Sequence, residues 1–313
     1  TGLMILVCGE ALFDVFLADE ATSNTAQMQA VAGGSPFNVA IGIARLGRRA
    51  ALLGGISHDM LGRRLRAMLG REKVSCDYLI PSTNRTTLSL VGVGEDGQPS
   101  YIFYGANSAD CSVAVTDLPE LDPDIHTLHF GSYSLVVPPV ADALAVLVDD
   151  YKDRFISVDP NVRPAIEPDL DRWRERLAYF ATRADLIKVS TEDLGTLYPG
   201  QAPEQMAHEW LGRGVSLVVV TDTAAPLTCW SRQGDRVQVL PEATPIIDTV
   251  GAGDSVQAAL LVWLSQAGNG DPGQVLDDLG AAELEQMLGF AASTARITCS
   301  RRGADLPRLD ELG

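Results

Sequence analysis

Asp248-Thr-Val-Gly-Ala-Gly-Asp-Ser255 joins an extended, Pro-punctuated segment (241–247) to an apolar run in which Val256, Leu260, Trp263 and Leu264 recur at helical spacing. The pattern predicts a loop that turns into a helix. Free backbone N–H groups and the helix dipole at such a junction favour an anion. Gly251 and Gly253 let the main chain approach a ligand closely and adopt conformations closed to other residues. Asp254 lies at the positive end, where a carboxylate stays ionised and can accept a proton hydrogen-bonded to it. An anion cradle beside a carboxylate base is what phosphoryl transfer to a hydroxyl requires. The plainer reading of the same residues is an acidic helix cap after a glycine turn.

The matching feature upstream is Ala32-Gly-Gly-Ser-Pro-Phe-Asn-Val-Ala-Ile-Gly-Ile-Ala-Arg-Leu-Gly47. Pro36 suits a first helical turn, and Val39, Ile43 and Leu46 make an apolar stripe ended by Gly47. Gly33 and Gly34 would let a polyol lie against backbone, with Asn38 offering both a donor and an acceptor; a tight strand-to-helix turn is the alternative.

Composition bounds the class. The 313 residues suffice for one large α/β domain, and 46% hydrophobic content supports a substantial core. A net charge of −17 disfavours nucleic acid and anionic membrane as partners. Only Lys73, Lys152 and Lys188 are lysines; genome composition and salt adaptation both account for that bias. Cys8, Cys76, Cys111, Cys229 and Cys299 are scattered and lack C-x-x-C spacing, so they read as reduced thiols of a cytoplasmic protein. No apolar run reaches the ~18 residues of a membrane span. Thr1-Gly-Leu3 reads as a cloning remnant ahead of a natural start at Met4, with no leader following it.

Taken in order, 4–8 is a buried strand ended by Gly9, with Asp14 close behind it, where ligands of open α/β sheets bind. Residues 15–31 form a strand pair, 50–56 a strand and 59–69 a helix; His58 reads as exposed and uninvolved. Two strand-like runs within 86–104, joined by a turn at 95–98, make a hairpin that ends at Tyr104. Beyond it, strands at 127–130, 155–158, 186–189, 217–221 and 227–230 alternate with helices at 138–151, 170–182, 203–213 and 281–297, the pattern of a doubly wound, mostly parallel sheet. Motifs of other enzymes are missing: there is no G-x-x-x-x-G-K-[ST], no dinucleotide fingerprint after the first strand, and no H-R-D or D-F-G set.

Gly-Gly-x-x-x-Asn-x-Ala with Ala-Arg-Leu-Gly, followed about 210 residues later by Asp-Thr-x-Gly-Ala-Gly-Asp, resembles the paired motifs of the ribokinase-like (PfkB) sugar kinases, and the likeness spans nearly the whole chain. The resemblance implies a single α/β kinase domain over 4–313, its central sheet flanked by helices, with a small β lid from about 15–31 and 86–105 that often forms a dimer contact. It implies an ATP-dependent kinase acting on a primary hydroxyl. Asp254 would be the base, the Gly251, Ala252 and Gly253 amides the anion hole, and Asp14, Gly33, Gly34 and Asn38 the sugar contacts.

Tyr104 and Arg163 are further candidates for the sugar or phosphate, although Tyr104 reads equally as structural and Arg163 equally as a surface ion-pair partner. Lys188, Ser190 and Thr221 fall in the stretches that hold the nucleotide. In Lys188-Val-Ser-Thr-Glu-Asp193, Ser190 replaces the family's Asn, and Asp193 or Glu192 takes the place of the Glu that organises hydrated Mg²⁺. Asp248, with carbonyls of the 298–304 stretch, would hold K⁺.

The main departure is Thr221-Asp-Thr-Ala-Ala-Pro226, which lacks the glycines of the family's Thr-x-Gly-x-x-Gly nucleotide loop. Gly9-Glu-Ala-Leu-Phe-Asp14, Gly33-Gly-Ser-Pro-Phe-Asn38 and Asp159-Pro-Asn-Val-Arg-Pro164 look most like bacterial fructokinases, with 2-keto-3-deoxygluconate kinase the alternative. A non-catalytic sugar-binding regulator on the same fold is the reading of another class.

Overall fold

The structure, a computed structural model, describes residues 2–17, 24–93, 99–223 and 225–312. The chain order is β1 (Met4–Cys8), β2 (Leu12–Leu17), β3 (Met28–Gly33), α1 (Ser35–Arg45), β4 (Arg49–Ser57), α2 (Met60–Arg71), β5 (Leu79–Ser82), β6 (Leu88–Val93) and β7 (Pro99–Tyr104). There follow β8 (Ile125–Gly131), α3 (Val140–Asp150), β9 (Phe155–Asp159), α4 (Leu170–Ala181), β10 (Leu186–Ser190), α5 (Thr191–Leu197), α6 (Pro203–Gly212), β11 (Leu217–Thr221), β12 (Leu227–Ser231), β13 (Arg236–Val239), α7 (Ala252–Ala267) and α8 (Ala281–Cys299).

Nine strands form one sheet in the order β13-β12-β11-β10-β9-β8-β1-β4-β5. It is parallel from β11 to β5; near one edge only β12 runs against the rest, pairing antiparallel with β11 and with the edge strand β13. The central strands are near-continuous apolar runs because both faces are covered. On one side Leu144, Trp173, Phe180, Leu197 and Trp210 pack from α3 to α6. On the other, Phe37, Ile43, Leu65, Leu260 and Leu288 pack from α1, α2, α7 and α8. The strand order reverses beside β1, the crevice where open α/β sheets bind ligands.

The expected mostly parallel sheet flanked by helices is therefore observed. The second sheet, β3-β2-β6-β7, is built from the two segments read as strand pairs, with β2 parallel to β6 and antiparallel to β3. The turn at 95–98 lies outside the described residues. Helix α5 and strands β5 and β13 went unread, being only 7, 4 and 4 residues long. All five cysteines are free and three are buried; His58 is exposed. Among the described residues, no helix is long and apolar enough to cross a membrane.

Candidate active site

Helix α7 begins at Ala252, so Gly253 and Asp254 lie within its first turn. Gly251 caps it in the left-handed conformation (φ 80°, ψ −1°). Its Ala252 N–H turns back to Thr249 O at 3.2 Å. Among the described residues no acceptor faces the amides of Gly251, Gly253 or Asp254, which leaves them for an anion.

Helix α1 packs alongside α7, and their first turns meet at this point. Ser35 Oγ donates to one oxygen of Asp254 at 2.6 Å, and Asn38 Nδ2 donates to the other at 2.8 Å. Pro36 at the start of α1 sets that helix's direction, which is what aims Ser35 and Asn38 at a residue more than 200 positions away. Burial raises the Asp254 pKa, while the Ser35 and Asn38 hydrogen bonds and the Lys188 charge pull it back down. Asp254 is thus a half-buried carboxylate with oriented lone pairs, the character of a general base.

The sugar-side candidates gather on the same ledge. Asp14 on β2 projects over β3, where a Cβ on Gly33 would lie 2.9 Å from its carboxylate. Gly34 has φ +103°, and a Cβ there would strike Glu10 O at 2.9 Å. Burial raises the Asp14 pKa, offset by a Ser89 hydrogen bond and by the charge of Arg163. Arg163 is exposed, donates to Val162 O at 3.0 Å and has no carboxylate partner among the described residues. Tyr104 ends β7 with 59% exposure and makes no bond to these residues.

The strand-end loops complete the floor. Ser190 caps α5 by accepting from Asp193 N–H at 3.0 Å and lies level with Thr221 across the β10–β11 pairing. Asp193 is 8% exposed and accepts from Val162 N–H at 3.2 Å. Burial and the neighbouring Asp159 push its pKa up to about 6. Lys188 is buried and donates to Asp159 at 2.8 Å. In the glycine-free loop, Thr191 Oγ1 donates to Asp222 at 3.0 Å, and Ala224 lies outside the described residues.

Asp248 braces the other side of the turn, accepting from Val250 N–H at 3.0 Å and from Gly303 N–H at 2.8 Å. With both oxygens so engaged, a monovalent cation here would rest chiefly on backbone carbonyls. Among the described residues no group of three or more metal-ligating side chains occurs. Mg²⁺ therefore fits only as a hydrated ion carried by nucleotide phosphates, with Asp193 or the exposed Glu192 reaching it through water.

Two features escaped the sequence reading. Ser35 reads as a turn residue between Gly34 and Pro36; only the packing of α1 against α7 reveals it as a partner of Asp254. Glu10 is 1% exposed behind Gly34, and one of its oxygens has no partner among the described residues. It shares its pocket with Asp110, itself bonded by Thr87, Ser108 and Tyr133. Burial pushes the Glu10 pKa up to about 8 and raises that of Asp110.

A carboxyl with a raised folded-state pKa contributes stability that is complete below its unfolded value and is lost as pH rises through the folded one. Thermal stability is therefore expected to fall between about pH 5 and pH 8. Glu10→Gln should flatten that decline in melting curves; an unchanged pH dependence would show that Glu10 is not its source.

The pfkB family carbohydrate kinase pattern matches residues 3–311, and the chain belongs to that family. Over 262 residues it is 35% identical to fructokinase from Rhizobium leguminosarum bv. trifolii, covering 83% of this chain and 79% of that protein. It is 30% identical to probable fructokinase-5 of Arabidopsis thaliana, with 96% and 93% covered. Among solved structures, fructokinase from Xylella fastidiosa with bound ATP superposes with a TM-score of 0.89 at 26% identity, covering 99% of this chain and 96% of that one. A Vibrio cholerae O395 fructokinase double mutant, bound to fructose, ADP and potassium ion, superposes at 0.83 with 26% identity, over 99% and 97%.

Proposed function

We propose that this sugar kinase transfers the terminal phosphoryl group of ATP to the primary 6-hydroxyl of fructose. The observation that carries the reading is the Asp254 carboxylate, held by Ser35 and Asn38 beside a turn with open amides. Asp14, Gly33, Gly34 and Asn38 would hold the sugar hydroxyls, and Asp254 would take the proton of the attacking one. The open amides of Gly251 and Gly253 would face the negative charge that grows on the transferring group, and Ala252 N–H would join them only on leaving Thr249 O. Mg²⁺, when bound with ATP, would neutralise phosphate charge.

Lys188, Ser190 and Thr221 would form the floor under the nucleotide, and Arg163 would face the substrate beside Asp14. A K⁺ ion near Asp248 would steady the turn. Fructose is favoured because the relatives above carry the fructokinase name and one is seen with fructose bound.

The four-stranded sheet would act as a lid over the sugar within one kinase domain, with Tyr104 at its edge. Its exposed Phe16, Leu17, Met28, Tyr101 and Ile102 suit a homodimer contact. Sedimentation showing only monomer at micromolar concentration would remove that contact.

The decisive experiment is a coupled assay of ADP release with fructose, ketodeoxygluconate, ribose and adenosine at saturating Mg-ATP. Fructose is expected to give the highest kcat/KM. Preference for ketodeoxygluconate would reassign the sugar, and sugar binding without turnover on any substrate would make the chain a non-catalytic binder.

A further inference from the structure

Beneath the Gly251-Ala-Gly253 turn lies a charge pair whose effect on Asp254 the mechanism above does not use, Lys188 standing there only as part of the nucleotide floor. Lys188 on β10 and Asp159 at the end of β9 expose only 5% and 2% of their side chains, and Nζ donates to Asp159 Oδ2 at 2.8 Å. A Cβ on Gly253 would sit 2.9 Å from Lys188 Nζ, so the ammonium lies directly under the backbone of the turn. An ammonium has three donors, and Asp159 takes one of them. The second oxygen of Asp159 is buried without a partner among the described residues.

The pair ends a polar stripe across the face that α7 covers. His129 Nδ1 meets Ser157 Oγ at 3.1 Å, and Gln257 of α7 donates to the same oxygen at 2.9 Å. Burial depresses the His129 pKa to about 4, so the imidazole is neutral and Lys188 is the cation of the stripe. Stability does not account for a buried ion pair here, because apolar side chains of similar volume would fill the same space without desolvating two charges.

We propose that Lys188 is a positioning residue of the phosphoryl-transfer site: anchored by Asp159, its ammonium supports the Gly253 backbone and supplies the positive charge that faces Asp254. The assignment rests on the reading of Asp254 as the base. From α1 Asp254 meets only the neutral Ser35 and Asn38; its charged neighbours are Lys188 and Asp159, a pair that also faces Asp193 and the neutral His129, while Arg163 faces Asp193. Lys188 favours the ionised form of Asp254 and Asp159 opposes it, so the two members of one pair pull in opposite directions.

The test is kcat/KM against pH for the full-length wild type, Lys188→Met and Asp159→Asn, with thermal melts alongside. Lys188→Met is expected to lower kcat about tenfold to a hundredfold, less than loss of a direct oxyanion donor, and to move the acidic limb to higher pH. Asp159→Asn should move that limb to lower pH. A role confined to packing would lower activity without opposed shifts. A folded Lys188→Met enzyme with the wild-type limb and a kcat within about threefold would overturn the proposal. Should a single variant fail to fold, Lys188→Met/Asp159→Leu leaves no unpaired charge; folded and slow supports the role, folded and fast ends it. If instead the wild type phosphorylates no sugar, it is the kinase reading that fails.

Discussion

Asp254→Asn is expected to fold normally and to lose about 10²- to 10⁴-fold in kcat, the range general-base catalysis supplies. The substitution is nearly isosteric. The new amide can keep its oxygen toward Asn38 Nδ2 and turn its NH₂ toward Ser35 Oγ, since a hydroxyl accepts as readily as it donates. Position and packing of the first turn of α7 thus survive, while the lone pair that receives a proton does not. Stability should hold or rise, because burial of the Asp254 carboxylate raises its pKa and so costs stability near neutral pH. Kinetics and thermal melts on one preparation would check both halves. A variant that keeps most of its rate would remove Asp254 from the chemistry. One that is slow only because it is unfolded would return Asp254 to the role of a helix cap.

Such a pairing of lost rate with kept or gained stability distinguishes the two readings of Asp248-Thr-Val-Gly-Ala-Gly-Asp-Ser255 available from sequence. The helical spacing of Val256, Leu260 and Leu264 was enough to place a helix N-terminus there, because an apolar stripe of that period is a local property. The central strands were legible for a related reason: with both faces covered, they appear as unbroken apolar runs. Short elements lacked that signal. Helix α5, 7 residues long, is begun by Ser190 accepting from Asp193 N–H, a contact that composition does not announce.

At the site, residue types were legible and partnerships were not. Lys188 reads as a cation near phosphate; its burial beneath Gly253, against Asp159, depends on the β9–β10 pairing and on α7 lying across that face. Glu10 reads as one more residue after a strand. Its unpartnered oxygen and raised pKa arise only when the Asp110 segment closes over it. Hydrogen bonds between residues 219 and 216 positions apart, from Ser35 and Asn38 to Asp254, belong to the tertiary fold and leave no periodic trace.

The same distinction fixes what Gly251→Ala should do. Gly251 takes φ 80°, where an L side chain costs about 1–2 kcal/mol. Strain is the smaller part. The added Cβ would lie 2.7 Å from Ala304 Cβ and 2.8 Å from Ala304 Cα, and a backbone atom cannot swing aside as a long side chain can. Either the 248–251 turn or the 303–306 segment must shift. Both are coupled, since Gly303 N–H donates to Asp248 Oδ2 and Arg45 of α1 grips Asp305 and Leu306 O.

A displaced turn re-aims the open amides and the first turn of α7 together. The expected loss is therefore about 10²- to 10³-fold in kcat, as for removal of an oxyanion donor, with a modest drop in melting temperature. Ala304→Gly in the same chain removes the Cβ contact but not the one to Cα, so it should restore part of the rate and leave the rest lost. A double-mutant cycle of kcat measures that coupling. Gly251→Ala with wild-type kcat, or strict additivity with Ala304→Gly, would mean that the anion hole does not depend on this close approach.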